Sequence, residues 1–107
     1  MLRFPRQLQR YDSAAECCDR LAERLETHLR QWLLMPLALR RPLGLATGRT
    51  MEPLYAALVQ RLMLWSAQDL VELRRRWASF NLDEYLGLPA GDPCRYSTYM
   101  RRHLGEP

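Results

Sequence analysis

The chain contains no lysine; all 16 of its basic residues are arginine. That absence excludes Schiff-base catalysis and the Walker-type phosphate loop, both of which depend on a lysine amine. Histidine is nearly as scarce: His28 and His103 are far apart in the chain, and each reads as a surface or packing residue rather than a ligand. The three cysteines, Cys17, Cys18 and Cys94, form no C-x-x-C pair and no metal-ligand spacing, so neither a metal nor another cofactor is expected. An odd cysteine count without a signal-type leader points to a reducing cytoplasm. Long apolar runs are missing too. The opening MLRFPRQLQRY has no apolar stretch, and WLLMPLALRRPLGLA is interrupted by Pro36, Arg40, Arg41 and Pro42, so no membrane span is expected.

What remains is a globular composition. With 48% hydrophobic and 26% charged residues the chain should fold, apart from its first ten and last few residues. At 107 residues it is one domain, at the small end for an α/β enzyme with helices on both sheet faces. A net charge of +4 raises nucleic acid as a partner, but the arginines do not cluster. Arg20, Arg24 and Arg30 alternate with Glu16, Asp19, Glu23 and Glu26, a pattern that reads as a solvated helix face with Glu16–Arg20 and Glu26–Arg30 pairs. Only Arg74, Arg75 and Arg76 form a run, expected to be a solvated segment before a strand. No nucleic-acid partner is expected.

Hydrophobic spacing gives the element order. After an arm over 1–12, Ser13 and Glu16 fit a capping box. Apolar residues at Cys18, Leu21, Ala22, Leu25, Leu29, Trp32 and Leu33 then predict an amphipathic helix over 13–34. Pro36 and Pro42 bound a connector, and PLGLA predicts a short buried strand. A second helix over 52–65 carries Pro53 in its first turn, with Leu54, Leu58, Leu62 and Trp65 as its buried face and Ala57 and Met63 beside it. A short helix or turn over 66–73 leads to a second strand in RWASFNL, and Asp92-Pro93 caps a last helix ending near His103. The order helix, strand, helix, strand, helix implies parallel pairing in an α/β, Rossmann-like layer. Two strands leave that layer incomplete, with 13–107 expected to be a portion of a larger domain and its open sheet edge the candidate surface for association of copies.

Two loops follow the strands, and in parallel sheets ligands bind beyond the carboxyl ends of strands. Thr47-Gly48-Arg49-Thr50 offers a turn-permitting glycine, outward amides and two hydroxyls, a set suited to a sugar or its phosphate and equally to a plain helix cap. Asn81-Leu82-Asp83-Glu84-Tyr85 places adjacent carboxylates at the matching end of the second strand. A carboxylate in a partly closed cleft can abstract a proton next to a carbonyl, whereas on an open surface the two acids are merely solvated.

Taken together, LGLATG-x-T…PLY, then FNLDEYLGLP, then DP-x-x-Y resembles the glucosamine-6-phosphate deaminase (isomerase) family over 43–100. That family shares a superfamily with 6-phosphogluconolactonase and ribose-5-phosphate isomerase. FNLDEY and GLP look like the deaminase branch. The resemblance implies opening of a hexosamine-phosphate ring, proton transfer between C2 and C1, and release of ammonia. It implies Asp83 as the proton-abstracting base, Glu84 as its acidic neighbour, and Thr47, Gly48, Arg49 and Thr50 as the substrate-holding turn. The sequence departs from the family at Arg49, usually Ser or Gly, at Met51, usually Pro, and at Asp92-Pro93-Cys94-Arg95-Tyr96, where His and Ser are replaced. The family's ring-opening Asp-x-His segment and phosphate-binding Arg and Lys have no counterpart before Pro107, and neither histidine matches that role. A chain of this kind is expected to be catalytically incomplete. The alternatives are a non-catalytic sugar-phosphate or subunit-binding remnant and a lactonase-like relative.

Overall fold

Residues 8–82, 86–89 and 91–104 are described by the computed structural model. Helix α1 spans Ala14–Trp32. The Ser13 hydroxyl accepts from the Glu16 amide at 3.1 Å, supplying the N-terminal cap that the sequence announces. Strand β1 is Leu43–Leu45, helix α2 Glu52–Leu62, helix α3 Ala67–Arg76, strand β2 Ser79–Asn81 and helix α4 Tyr96–Leu104. Leu43, Gly44 and Leu45 face Ser79, Phe80 and Asn81 in parallel register. The result is a two-stranded parallel sheet flanked by helices, an incomplete α/β layer.

The core lies mainly among the helices. Ala22, Leu29 and Trp32 of α1, Leu54, Tyr55 and Leu58 of α2, Leu73 of α3 and the following-turn residue Trp65 are buried, and the sheet adds only Leu45. The strands are therefore less buried than expected: Ser79 is exposed, and Phe80 of β2 is 55% exposed because nothing described packs on that side. The buried face of α2 also differs. Met63 is 74% exposed, while Tyr55, fully buried, takes a core position that the apolar spacing did not assign to it. A phenol can be buried there because its hydroxyl donates to the Ala46 carbonyl.

The acidic face of α1 is not simply solvated. The expected Glu16–Arg20 and Glu26–Arg30 pairs do not form; Arg20 meets Glu23 at 3.4 Å, and Arg30 crosses to Asp69 at 3.0 Å. Arg61 of α2 donates to Asp19 at 2.9 Å and to Glu26 at 3.5 Å. Glu26 also accepts from Trp65 Nε1 at 2.8 Å, and the Arg30 guanidinium lies 3.9 Å from the Trp65 ring centre. For Glu26 the partner from another helix wins because its partly buried pair with Arg61 is less screened than an exposed pair along one helix.

The segment expected as a short helix or turn is a full helix that takes in the arginine run. Ser66 accepts from the Asp69 amide at 3.1 Å, and Arg74, Arg75 and Arg76 occupy the last turn, where cations oppose the helix dipole. Arg76 is not solvated. It donates to the Trp32 carbonyl at 3.0 Å, to the Met35 carbonyl at 2.7 Å and to Glu72 at 3.0 Å, closing the C-terminal end of α1. The last helix starts later than Asp92-Pro93 suggests. Asp92 Oδ1 accepts from the Cys94 amide at 2.8 Å and its carbonyl from the Arg95 amide at 3.0 Å, so the aspartate closes a separate turn and α4 begins at Tyr96. Among the described residues no helix is long and apolar enough to cross a membrane.

Candidate functional site

The Thr47–Thr50 loop leaves the carboxyl end of β1 and turns into α2 through a single 3-10 turn, Arg49–Met51. Gly48 has φ 116° and ψ 163°, a region of backbone space open essentially to glycine alone. Thr47 is half-buried, and Gly48, Arg49 and Thr50 are exposed. The carbonyls along this path are held in order. Leu45 accepts from the Leu82 amide at 3.2 Å, Ala46 from the Tyr55 hydroxyl, and Gly48 from both the Tyr99 hydroxyl at 2.6 Å and the Met51 amide at 3.1 Å. The amides do not share this treatment. Those of Thr47, Arg49 and Thr50 donate to no other described residue. A loop whose Ala46 and Gly48 carbonyls are held while these donors have no described partner is suited to an anion or a sugar hydroxyl.

The two tyrosines were not among the expected site residues. Burial, helped by the neighbouring Tyr99, pushes the Tyr55 phenol up to about 12. Burial, then the negative charge of Glu52, raises the Tyr99 phenol above its usual value. Both hydroxyls therefore stay protonated and able to donate at neutral pH. Tyr99 stacks on His103, ring centres 4.2 Å apart, and His103 Nε2 lies 3.5 Å from Glu52 Oε1. The far end of α4 is thus fastened to the first turn of α2, beside the loop. Tyr55 lies in the PLY segment of the family pattern, but Tyr99 has no local signal: its partner Gly48 is 51 residues away.

Asp83 and Glu84, the expected base and its neighbour, lie outside the described residues. The residue before them is in place. Leu82 donates its amide to the Leu45 carbonyl, at the strand end that also launches the Thr47 loop. Gly44 leaves room for two side chains of the neighbouring segment: a Cβ there would sit 3.1 Å from Phe80 Cζ and 3.2 Å from Leu82 Cδ2. His28 has a packing role, with Nε2 3.3 Å from the Arg41 carbonyl and its ring edge-on to Trp32. Among the described residues no group of three or more His, Cys, Asp or Glu is placed to hold a metal. A separate concavity of ≈ 610 Å³, lined by Leu62, Leu73, Trp77, Met100 and Leu104 among others, includes none of the four loop residues. It is an apolar groove between helices, and the loop lies outside it.

Comparison with known proteins finds curated relatives over part of the chain. The chain is 46% identical over 61 residues to glucosamine-6-phosphate deaminase of Lysinibacillus sphaericus, 57% of this chain and 24% of that protein. The deaminase of Listeria welshimeri is 47% identical over 62 residues, 58% of this chain and 23% of the relative. That of Staphylococcus epidermidis is 44% identical over 64 residues, 60% and 24% respectively. Over this stretch the chain is similar to glucosamine-6-phosphate deaminases. It spans about a quarter of the length of these curated deaminases. No family model matches the chain, and no solved structure matches it. The similarity to deaminases and the parallel sheet agree in kind, since a parallel pair joined by helices is the element from which larger α/β layers are built.

Proposed function

We propose that the chain is part of a glucosamine-6-phosphate deaminase-like protein of amino-sugar metabolism. In this reading Thr47, Gly48, Arg49 and Thr50 hold a hexosamine phosphate, Asp83 abstracts the proton from C2 of the open-chain sugar and returns it to C1, and Glu84 supports Asp83. The observation that carries the reading is the loop itself: the amides of Thr47, Arg49 and Thr50, without a partner among the described residues, at the carboxyl end of a parallel strand pair. Similarity to the deaminases supplies the substrate class.

The 107 residues alone are proposed to bind without turning over, since the matched stretch is about a quarter of each relative. The test is calorimetry with glucosamine 6-phosphate alongside an assay for ammonia and fructose 6-phosphate. Heat of binding with no product is the expected result. Robust turnover overturns the incompleteness, and absence of binding to any hexose phosphate overturns the site.

A non-catalytic binding role is the second reading, favoured by Arg49. It is exposed, it has no ion-pair partner among the described residues, and it adds a cation beside the free amides. Binding that survives Asp83→Asn in a longer deaminase-like chain that carries this segment, with turnover lost, supports the catalytic reading. Equal affinity with no turnover before the substitution supports the second. Association of copies, if it occurs, would use the open β2 edge, where Phe80 and Leu82 are 55% and 63% exposed. Light scattering that finds only monomer at high concentration removes that part.

A further inference from the structure

We propose that Tyr99, with Tyr55 behind it, is a positioning residue that aims the amides of the Thr47–Thr50 loop at an anionic ligand. The inference rests on the sugar-phosphate reading of the loop and adds to it the groups that make the loop a donor.

A trans peptide unit is planar, with its carbonyl and the following N–H pointing in opposite directions. No cis peptide bond occurs among the described residues. When the Tyr99 hydroxyl holds the Gly48 carbonyl at 2.6 Å, it turns the Arg49 N–H away from α4. When Tyr55 holds the Ala46 carbonyl, it turns the Thr47 N–H away from α2 in the same manner. The two units lie on either side of the Thr47–Gly48 peptide, and Gly48, at φ 116° and without a Cβ, has the widest conformational choice in the loop. A glycine-centred loop left to itself samples several orientations of its flanking peptides, and only those with the N–H outward serve an anion. The two phenols select that orientation.

Both are themselves well held. Tyr55 is fully buried in the core, and Tyr99 is stacked on His103, which reaches back to Glu52 on the helix that the loop enters. The hydroxyls therefore act from fixed points on two helices, which is what an orienting group requires.

The test uses the 107-residue chain and glucosamine 6-phosphate, followed by calorimetry and by backbone amide shifts. Tyr99→Phe keeps the ring and removes only the donor, so binding is expected to weaken by about three- to tenfold, the worth of one hydrogen bond. The ligand-induced shift of the Arg49 amide should be reduced while that of Thr47, governed by Tyr55, persists; a general loss of structure would reduce both. Ser66→Ala, which weakens the cap of α3 away from the loop, controls for stability and should leave affinity unchanged. Equal affinity and an unchanged Arg49 response in Tyr99→Phe overturn the inference. If the unsubstituted chain does not bind, the sugar-phosphate reading fails instead, and the positioning role is decided without ligand. A shifted Gly48 carbonyl resonance and faster Arg49 hydrogen exchange in Tyr99→Phe then support it, and no change in either overturns it.

Discussion

At the scale of single residues, the loop depends on a glycine that has no steric reason to be one. Nothing lies within 4 Å of a Cβ built on Gly48, so the requirement is purely one of backbone conformation. Gly48→Ala is expected to cost about 1–3 kcal/mol in unfolding free energy, measured by denaturant titration, although no neighbour is displaced. Tyr55 makes a different prediction. Its folded-state pKa, about 12, is above the usual 10.0, so the contribution is fully present below pH 10 and is lost as pH rises towards 12, where the unfolded chain releases the proton first. Stability measured at steps across that window should fall, and Tyr55→Phe should flatten the slope while lowering stability at neutral pH by about 1 kcal/mol for the lost hydrogen bond. The absence of lysine removes ammonium titration from this window, so the comparison with Tyr55→Phe has only the other phenols to subtract.

At the scale of elements, the helix pairings were only half legible in the sequence. The cap of α1 at Ser13 and the place of Pro53 in the first turn of α2 follow from local rules and are found where those rules put them. The partners of the charges do not follow. Glu26 could be assigned to Arg30 by spacing, yet it serves Arg61 and Trp65 from later in the chain, because tertiary packing brings those donors to a half-shielded position that no local pattern encodes. Arg76 shows the same limit. In sequence it is one of three consecutive arginines; in the structure it alone turns inward to bind two carbonyls at the end of α1. Arg76→Ala is expected to lower stability by about 1–3 kcal/mol, with Arg74→Ala, an exposed neighbour, near zero, as judged by thermal or denaturant unfolding. Arg76→Lys should recover only part of the loss, because one ammonium cannot reproduce the guanidinium fork across two carbonyls and Glu72.

At the scale of the whole molecule, stability rests on a helical core with a small sheet at its side. Trp32 is the centre of that core, fully buried, with His28 at 5.5 Å and Trp77 at 5.9 Å between ring centres, both edge-on. Trp32→Ala is expected to cost about 3–5 kcal/mol, a large fraction of what a domain of this size possesses, so the variant should show a lowered or lost cooperative transition in circular dichroism. The alternation of helix and strand made the parallel pair and its α/β character readable in advance. The depth of burial was not, because PLGLA and RWASFNL look alike whether a strand is covered on two faces or on one. The candidate site divides in the same way: Thr47 to Thr50 were visible as a turn of permissive and polar residues, whereas Tyr99 is joined to them only by the fold.

The three tryptophans also partition what light can report. Trp32, Trp65 and Trp77 are tied to α1 and α3 through ring stacking, a guanidinium and the Glu26 carboxylate, and none contributes to the Thr47–Thr50 loop. The phenols that hold the loop, Tyr55 and Tyr99, absorb and ionise separately from the indoles. Emission excited in tryptophan alone is therefore a gauge of helical packing, while the part of the high-pH phenolate absorbance that Tyr55→Phe and Tyr99→Phe remove follows the loop's own fastenings. Two optical signals in one unlabelled chain can thus show whether the loop comes undone before the core does.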